Sequence, residues 1–331
     1  MAPRYSRRGA LALGAGLVAA AMAAPVSGYA QSFPERPINV VVPFNVGGYN
    51  DRLARAFAPF LQKELGQPIV IVNRGGAGAL LGHTYFMQQD DDGYTILATS
   101  AAPYIPLNIL NQNAQFKVDD FQMINLPSRD YTLMATSADS ELGSVDDVIS
   151  KLKEDPGSLS IGIQPSSADL VNLMLFADAN GIDREGLRLV TYDGGGPTRN
   201  AAAGGVVDIS LVGGQGFLNI AEQIKPLLVF DNKQRDGWDA PAVTEVVGDD
   251  AKFVSGSQRG WAVHSSLKES HPDRYEVLAT AIENASKNPE AIKALKDAKL
   301  ATDWYGPEDS QSSLKSTHEV MTEHVDLLQG T

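Results

Sequence analysis

Four loops rich in glycine or serine could bind a ligand, because each follows a short apolar run and precedes a segment with helical periodicity. They cover residues 44–51, 73–78, 164–169 and 192–197. The first N–H groups of a helix lack intrahelical partners, and glycine lets the backbone approach a ligand closely. Each loop can therefore hold a small anion through backbone amides, without a lysine or arginine.

The elements that must position these loops alternate along the chain. Strand-length apolar runs are predicted at residues 38–42, 69–72, 95–98, 159–163, 187–190 and 207–212. Helical apolar stripes are predicted at residues 51–65 and 168–179. This alternation is typical of α/β folds with mostly parallel sheets flanked by helices. In such sheets ligands bind at the carboxyl ends of the strands, where these loops lie.

Two longer extended stretches, residues 121–136 and 253–264, interrupt this rhythm. We interpret them as two crossings between lobes. The first lobe is then predicted to comprise residues 31–128 plus 255–331, and the second lobe residues 129–254. Three C-terminal helices, predicted at residues 273–287, 290–299 and 310–328, are expected to pack mainly on the first lobe.

The first thirty residues resemble a secretory signal rather than part of the fold. Three arginines precede an apolar run over residues 10–24, and small residues at 28 and 30 offer a cleavage site before Gln31. The run is short for a membrane span, so we favour cleavage over a retained anchor. We expect a periplasmic protein. Since Ser6-Arg7-Arg8 also fits a twin-arginine signal, both the Sec and Tat routes stay open.

Composition narrows the range of partners. The formal net charge is −13, which argues against nucleic acid as a partner because phosphates require a basic face. There is no cysteine, and a chain of 331 residues can bury a large core without disulfides. We expect a monomer with no cofactor.

Several short motifs occur together in one order and spacing. They are Phe33-Pro34-Glu35-Arg36-Pro37-Ile38, Pro43-Phe44, Gly47-Gly48 with Asp51, Gly66-Gln67-Pro68, residues 73–78, Asp92-Gly93-Tyr94-Thr95, Tyr192 with Gly194-Gly195-Gly196-Pro197, and Gly204-Gly205 with Asp208. In these motifs, from Phe33 to the C-terminus, the chain resembles the Bug family, the periplasmic solute-binding receptors of tripartite tricarboxylate transporters.

The resemblance implies a two-lobed periplasmic-binding-protein fold of the Venus-flytrap, type II-like kind. It further implies that the lobes close on a small organic anion, a mono-, di- or tricarboxylate with aromatic ones included, and deliver it to membrane permease subunits. Two loops, 44–51 and 165–169, would grip one carboxylate. The predicted ligand-binding residues are Phe44, Gly47, Gly48, Tyr49, Asn50, Asp51, Ala77, Gly78, Ser100, Pro165, Ser166, Ser167, Ala168, Asp169, Tyr192, Gly194 and Gly213.

The chain departs from the family pattern at Asn45-Val46, at Tyr49, and most sharply at Asp169, where the family commonly has histidine. Two interpretations of Asp169 stay open. It can be a first-turn acid that the helix dipole favours, in a capping exchange with Ser166. Alternatively, it reaches the cleft and selects a ligand that carries a hydrogen-bond donor.

Other functions have less support. The sequence has no P-loop, no G-x-S-x-G motif and no cysteine nucleophile, and its five histidines lack metal-ligand spacing. We therefore predict no metal site and expect the histidines at the surface or in caps. A receptor that is not an enzyme is the leading hypothesis. The alternatives are a periplasmic hydrolase that uses Asp51 or Asp169 as a base, and a sensor subunit with the same cleft.

Overall fold

The computed structural model describes Met1 and residues 33–165, 167–192 and 194–328. The predicted signal segment and Ser166 lie outside the described residues. The strands are β1 (Ile38–Val42), β2 (Ile69–Asn73), β3 (Thr95–Ser100), β4 (Phe121–Arg129), β5 (Thr132–Ser137), β6 (Ser160–Ile163), β7 (Arg188–Thr191), β8 (Ile209–Gly213), β9 (Ile224–Phe230) and β10 (Gln258–His264).

The helices are α1 (Tyr49–Leu65), α2 (Leu80–Met87), α3 (Ala101–Gln112), α4 (Val145–Glu154), α5 (Ala168–Asn180), α6 (Gly195–Ala203), α7 (Val243–Val247), α8 (Leu267–Ser270), α9 (Pro272–Lys287), α10 (Pro289–Asp297) and α11 (Gly306–Glu323). None of the helices in the described ranges is both long and apolar enough to span a membrane.

The strands form two five-stranded sheets with the same arrangement. Their orders are β2-β1-β3-β10-β4 and β7-β6-β8-β5-β9. The sheets and their flanking helices form two lobes, as predicted. Both sheets are mixed, and four of the five strands in each run in the same direction, which agrees with the prediction of mostly parallel sheets. In each sheet the fourth strand runs against the others, so β10 and β5 make only antiparallel pairs.

All six predicted strands are present, but the sequence analysis did not predict β9. Pro226 interrupts its apolar pattern and cannot donate a ladder hydrogen bond. Since β9 is the edge strand of the second sheet, the proline is tolerated there.

The chain passes from β4 to β5 through Asp130 and Tyr131, and it returns to β10 through residues 251–257. The Asp130 N–H donates to the Ser257 carbonyl at 3.0 Å, which joins the two connections. The exact lobe limits remain a prediction.

Each lobe has its own core. In the first lobe, Trp261 of β10 is 2% exposed and packs against Phe57 of α1 with ring centroids 4.8 Å apart. Helices α9 and α10 pack on α1, and α11 packs on β4 and α3. Met321, near the end of α11, joins the apolar core of the second lobe together with Leu107 of α3. The last helix therefore contacts both lobes.

Candidate ligand-binding cleft

A cleft of about 1220 Å³ lies between the two lobes. Its walls come from α3, from the loops and helix starts that follow β1, β6 and β7, from β8 and from the two connections between the sheets. The carboxyl ends of the parallel strands face it, which is where open α/β sheets bind ligands.

Thirteen of the seventeen predicted ligand-binding residues line this cleft. They are Phe44, Gly48, Tyr49, Asn50, Gly78, Ser100, Pro165, Ser167, Ala168, Asp169, Tyr192, Gly194 and Gly213. Of the other four, Gly47, Asp51 and Ala77 lie away from the lining, and Ser166 is outside the described residues. Direct ligand contact by these residues remains a prediction.

The first-lobe wall is built where α1 begins. Gly48 is the N-cap and lines the cleft; its N–H donates to the Asn45 carbonyl at 3.2 Å and its carbonyl accepts from Arg52 N at 3.0 Å. Asn50 is 4% exposed, and its Nδ2 donates to Ser100 Oγ at 2.9 Å. The Phe44 ring meets Tyr104 edge-on at 5.2 Å between centroids. This wall is partly aromatic, and its charged residue is Arg259 of β10.

Asp51 stabilises the first loop from inside and does not face the cleft. Its carboxylate accepts hydrogen bonds from Gly47 N at 2.8 Å, Arg55 Nε at 2.9 Å and Asn73 Nδ2 at 3.0 Å. Burial raises the pKa of Asp51, but these bonds outweigh burial and the net pKa is lowered. Gly47 adopts φ +84°, which only glycine adopts readily, and this conformation turns its N–H toward Asp51.

The second-lobe wall is built where α5 begins. Ser167 is the N-cap, and its hydroxyl accepts a hydrogen bond from Leu170 N at 3.1 Å. The cap is thus Ser167, one residue later than the Ser166 exchange considered from the sequence. Ala168 and Asp169 follow in the first turn and line the cleft.

Asp169 is 8% exposed, and burial raises its pKa to about 7. The Thr132 hydroxyl donates to its Oδ1 at 2.5 Å. In turn, Asn172 Nδ2 donates to Thr132 Oγ1 at 2.8 Å, and Asn172 Oδ1 accepts from Val254 N at 2.6 Å. This chain ties the cleft carboxylate to both connections between the sheets, since Thr132 begins β5 and Val254 precedes β10.

Two arginines in the cleft correct the expectation of a site without cationic side chains. Arg199 of α6 and Arg259 of β10 line it. Arg259 Nη2 lies 3.4 Å from Asp130 Oδ2, and its guanidinium lies 4.7 Å from the centre of the Tyr49 ring. Asp130 also accepts a hydrogen bond from Gln215 N at 3.0 Å. Sequence reasoning missed all three charged residues, although Arg259 stands out as the one arginine or lysine of β10.

Two of the five histidines, His83 and His264, depart from the predicted surface or capping positions. His83 is fully buried between Asn108 and Thr99, and burial lowers its pKa to about 4. His264 is also buried. No histidine lines the cleft in the described ranges, and those ranges contain no cluster of three or more acidic or histidine side chains that could hold a metal ion.

Comparisons with known proteins agree with this architecture. A family model described as "Tripartite tricarboxylate transporter family receptor" matches residues 53–328. Protein BugT of Bordetella pertussis (strain Tohama I) is 33% identical over 199 residues, and the match covers 59% of this chain and 59% of BugT's own length.

Two solved structures share the fold. A TctC solute-binding protein from Polaromonas has a TM-score of 0.74 at 21% identity, covering 90% of this chain and 100% of that one. MatC from Rhodopseudomonas palustris, with bound malate, has a TM-score of 0.66 at 21% identity and the same coverages of 90% and 100%. With the family model matching most of its length, the chain belongs to the tripartite tricarboxylate transporter receptor family.

Proposed function

We propose that this protein is an exported, monomeric solute-binding receptor without enzymatic activity. It captures a small organic carboxylate between the lobe of residues 31–128 plus 255–331 and the lobe of residues 129–254, and it delivers the carboxylate to the permease of a tripartite tricarboxylate transporter. The observation that carries this proposal is the interlobe cleft, in which backbone-rich loops and two arginines converge. The structurally similar MatC carries bound malate, which supports a carboxylate ligand.

The arrangement favours binding over catalysis. Ser167 is engaged as a helix cap, and Ser100 accepts a hydrogen bond from Asn50. Asp51, one of the two candidate bases, is surrounded by donors within its own loop. Neither the hydrolase nor the sensor alternative has a specific observation in its favour.

Isothermal titration of the purified protein with mono-, di- and tricarboxylates tests this function. We expect saturable binding of at least one compound at one site per chain, with the compound recovered unchanged by NMR. A thermal shift offers a second measurement, because a ligand at 100 times its Kd stabilises the folded state by about 2.7 kcal/mol. Chemical conversion of the bound compound would contradict a pure receptor, and binding to none of the carboxylates would contradict the proposal altogether.

A further inference from the structure

Among the residues that the structure describes, two opposite charges in the cleft lack ionic partners. Asp169 is 8% exposed and lines the cleft, and Arg199 lines the same cleft. Arg199 Nη1 donates to the Gly213 carbonyl at 3.3 Å. Within the described ranges, neither side chain has an oppositely charged group within the 4.0 Å of an ion pair. Arg259, by contrast, is matched by Asp130 at 3.4 Å.

An unpaired charge in a partly enclosed site is costly, because the lost hydration is not replaced by a counter-charge. Asp169 and Arg199 are close enough to influence each other electrostatically but too far apart to pair. A ligand with both a negative and a positive group would satisfy each of them. Such a ligand would also keep the cleft neutral, because the charges of Asp130 and Asp169 balance those of Arg199 and Arg259. A dicarboxylate would instead add two uncompensated negative charges beside Asp169.

A series of hydrogen bonds orients the Asp169 side chain to receive a positively charged ligand group. The backbone N–H of Val254 occupies Asn172 Oδ1, so Asn172 must present Nδ2 to Thr132. The Thr132 oxygen thereby accepts one hydrogen bond, and its own proton goes to Asp169 Oδ1. The Thr132 hydroxyl thus donates to one carboxylate oxygen, which favours the ionised form and holds the side chain in place. The other oxygen is left for a ligand.

We propose that the cleft binds a small zwitterion whose carboxylate is received by Arg199 and whose protonated amine or ring nitrogen is received by Asp169. This inference rests on the proposed receptor function and narrows its ligand class. Asp169 becomes the residue that determines specificity, with Thr132 and Asn172 as its positioning residues.

Matched pairs of compounds that differ only in the amine test this proposal. Isothermal titration at pH 8 would compare aspartate with succinate, alanine with propionate, and phenylalanine with 3-phenylpropionate. In the pair that binds most tightly, we expect the amino compound to bind at least about tenfold more tightly, as for a buried charge pair. Asp169→Asn should remove this preference by weakening the amino compound. Asp146→Asn, which removes an exposed first-turn acid from α4, should preserve it.

Arg199→Gln tests the part of the site that binds the carboxylate independently of the part that binds the amine. It should weaken both members of the pair by at least about tenfold and leave their ratio unchanged, because each carries the carboxylate. Should that variant not fold, Arg199→Lys keeps the charge but loses the planar fork, and it should weaken both members to a smaller, equal degree.

Three results would overturn the proposal. If the plain carboxylate of the tightest pair binds as well as its amino partner, the receptor function stands but the zwitterion does not. The same conclusion follows if Asp169→Asn changes both affinities equally. If no member of any pair binds, nor any of the wider carboxylate set, the receptor function itself fails and the inference fails with it.

Discussion

Asp51 and Asp169 occupy similar places in the two lobes and have opposite environments. Each lies in the first turn of a helix that follows a parallel strand, and they are 2% and 8% exposed. Asp51 accepts hydrogen bonds from three donors and its pKa is lowered, whereas Asp169 accepts one from Thr132 and its pKa is raised to about 7. One acid stabilises its loop, and the other is kept available in the cleft.

The difference shows that one buried acid can stabilise the fold while the other serves ligand binding. In the first lobe, Arg55 and Asn73 compensate the buried carboxylate, so burial there costs little. In the second lobe the compensation is incomplete, and the folded state bears an electrostatic cost that a ligand can relieve. Three substitutions test this comparison, from the largest expected effect to the smallest.

Asp51→Ala should destabilise the protein by about 3 kcal/mol, because it removes a buried carboxylate that joins Gly47, Arg55 and Asn73. Urea unfolding followed by circular dichroism would measure the loss. Asp146→Ala is the matched control, since Asp146 is an exposed first-turn acid in α4. Equal midpoints for the Asp51 variant and the wild type would refute the scaffold role.

Asp169→Asn should stabilise the ligand-free protein by about 4 kcal/mol at pH 8 and by almost nothing at pH 4. The sign follows from a pKa raised to about 7: between about pH 4 and 7 the folded state retains a proton that the unfolded chain releases, so stability falls as the pH rises. Burial dominates the shift, Asp130 adds to it, and Thr132, Arg199 and Arg259 oppose it.

Thermal unfolding of both proteins across this pH range would test the Asp169 prediction. Parallel melting curves, with a constant difference at every pH, would mean that Asp169 does not titrate as a buried, unpaired acid.

Ser167→Ala should have the smallest effect, a loss of about 1 kcal/mol, because it removes the N-cap hydrogen bond to Leu170 N. Gly48→Ala is the corresponding change in the first lobe, where the N-cap makes no side-chain hydrogen bond. Its new Cβ would lie 3.2 Å from the Asn45 carbonyl oxygen, a tight contact, so any cost there comes from crowding and not from a lost cap. Urea midpoints would rank the two, and an equal loss in both would indicate that backbone packing, and not the cap, stabilises α5.

Much of the architecture could be predicted from local patterns in the sequence. Short β-branched runs ended by glycine predicted six strands because a buried parallel strand leaves that signature in a few consecutive residues. The same local chemistry identified the loops, so most of the predicted ligand-binding residues do line the cleft. The antiparallel fourth strand of each sheet escaped prediction because strand direction depends on where the chain returns, and Pro226 concealed β9.

The sequence by itself determined the α/β alternation, the two lobes and the loops that border the cleft, because each depends on neighbouring residues. Only the tertiary structure decided which charges face a ligand. Asp51 and Asp169 have the same local setting, and Asn73 from β2 donates a hydrogen bond to one while Thr132 from β5 orients the other. Arg199, in a helix packed on the second sheet, and Arg259, in the first sheet, both line the cleft. The electrostatics of the site depends on partners distant in sequence, and their approach is set by the packing of the two sheets.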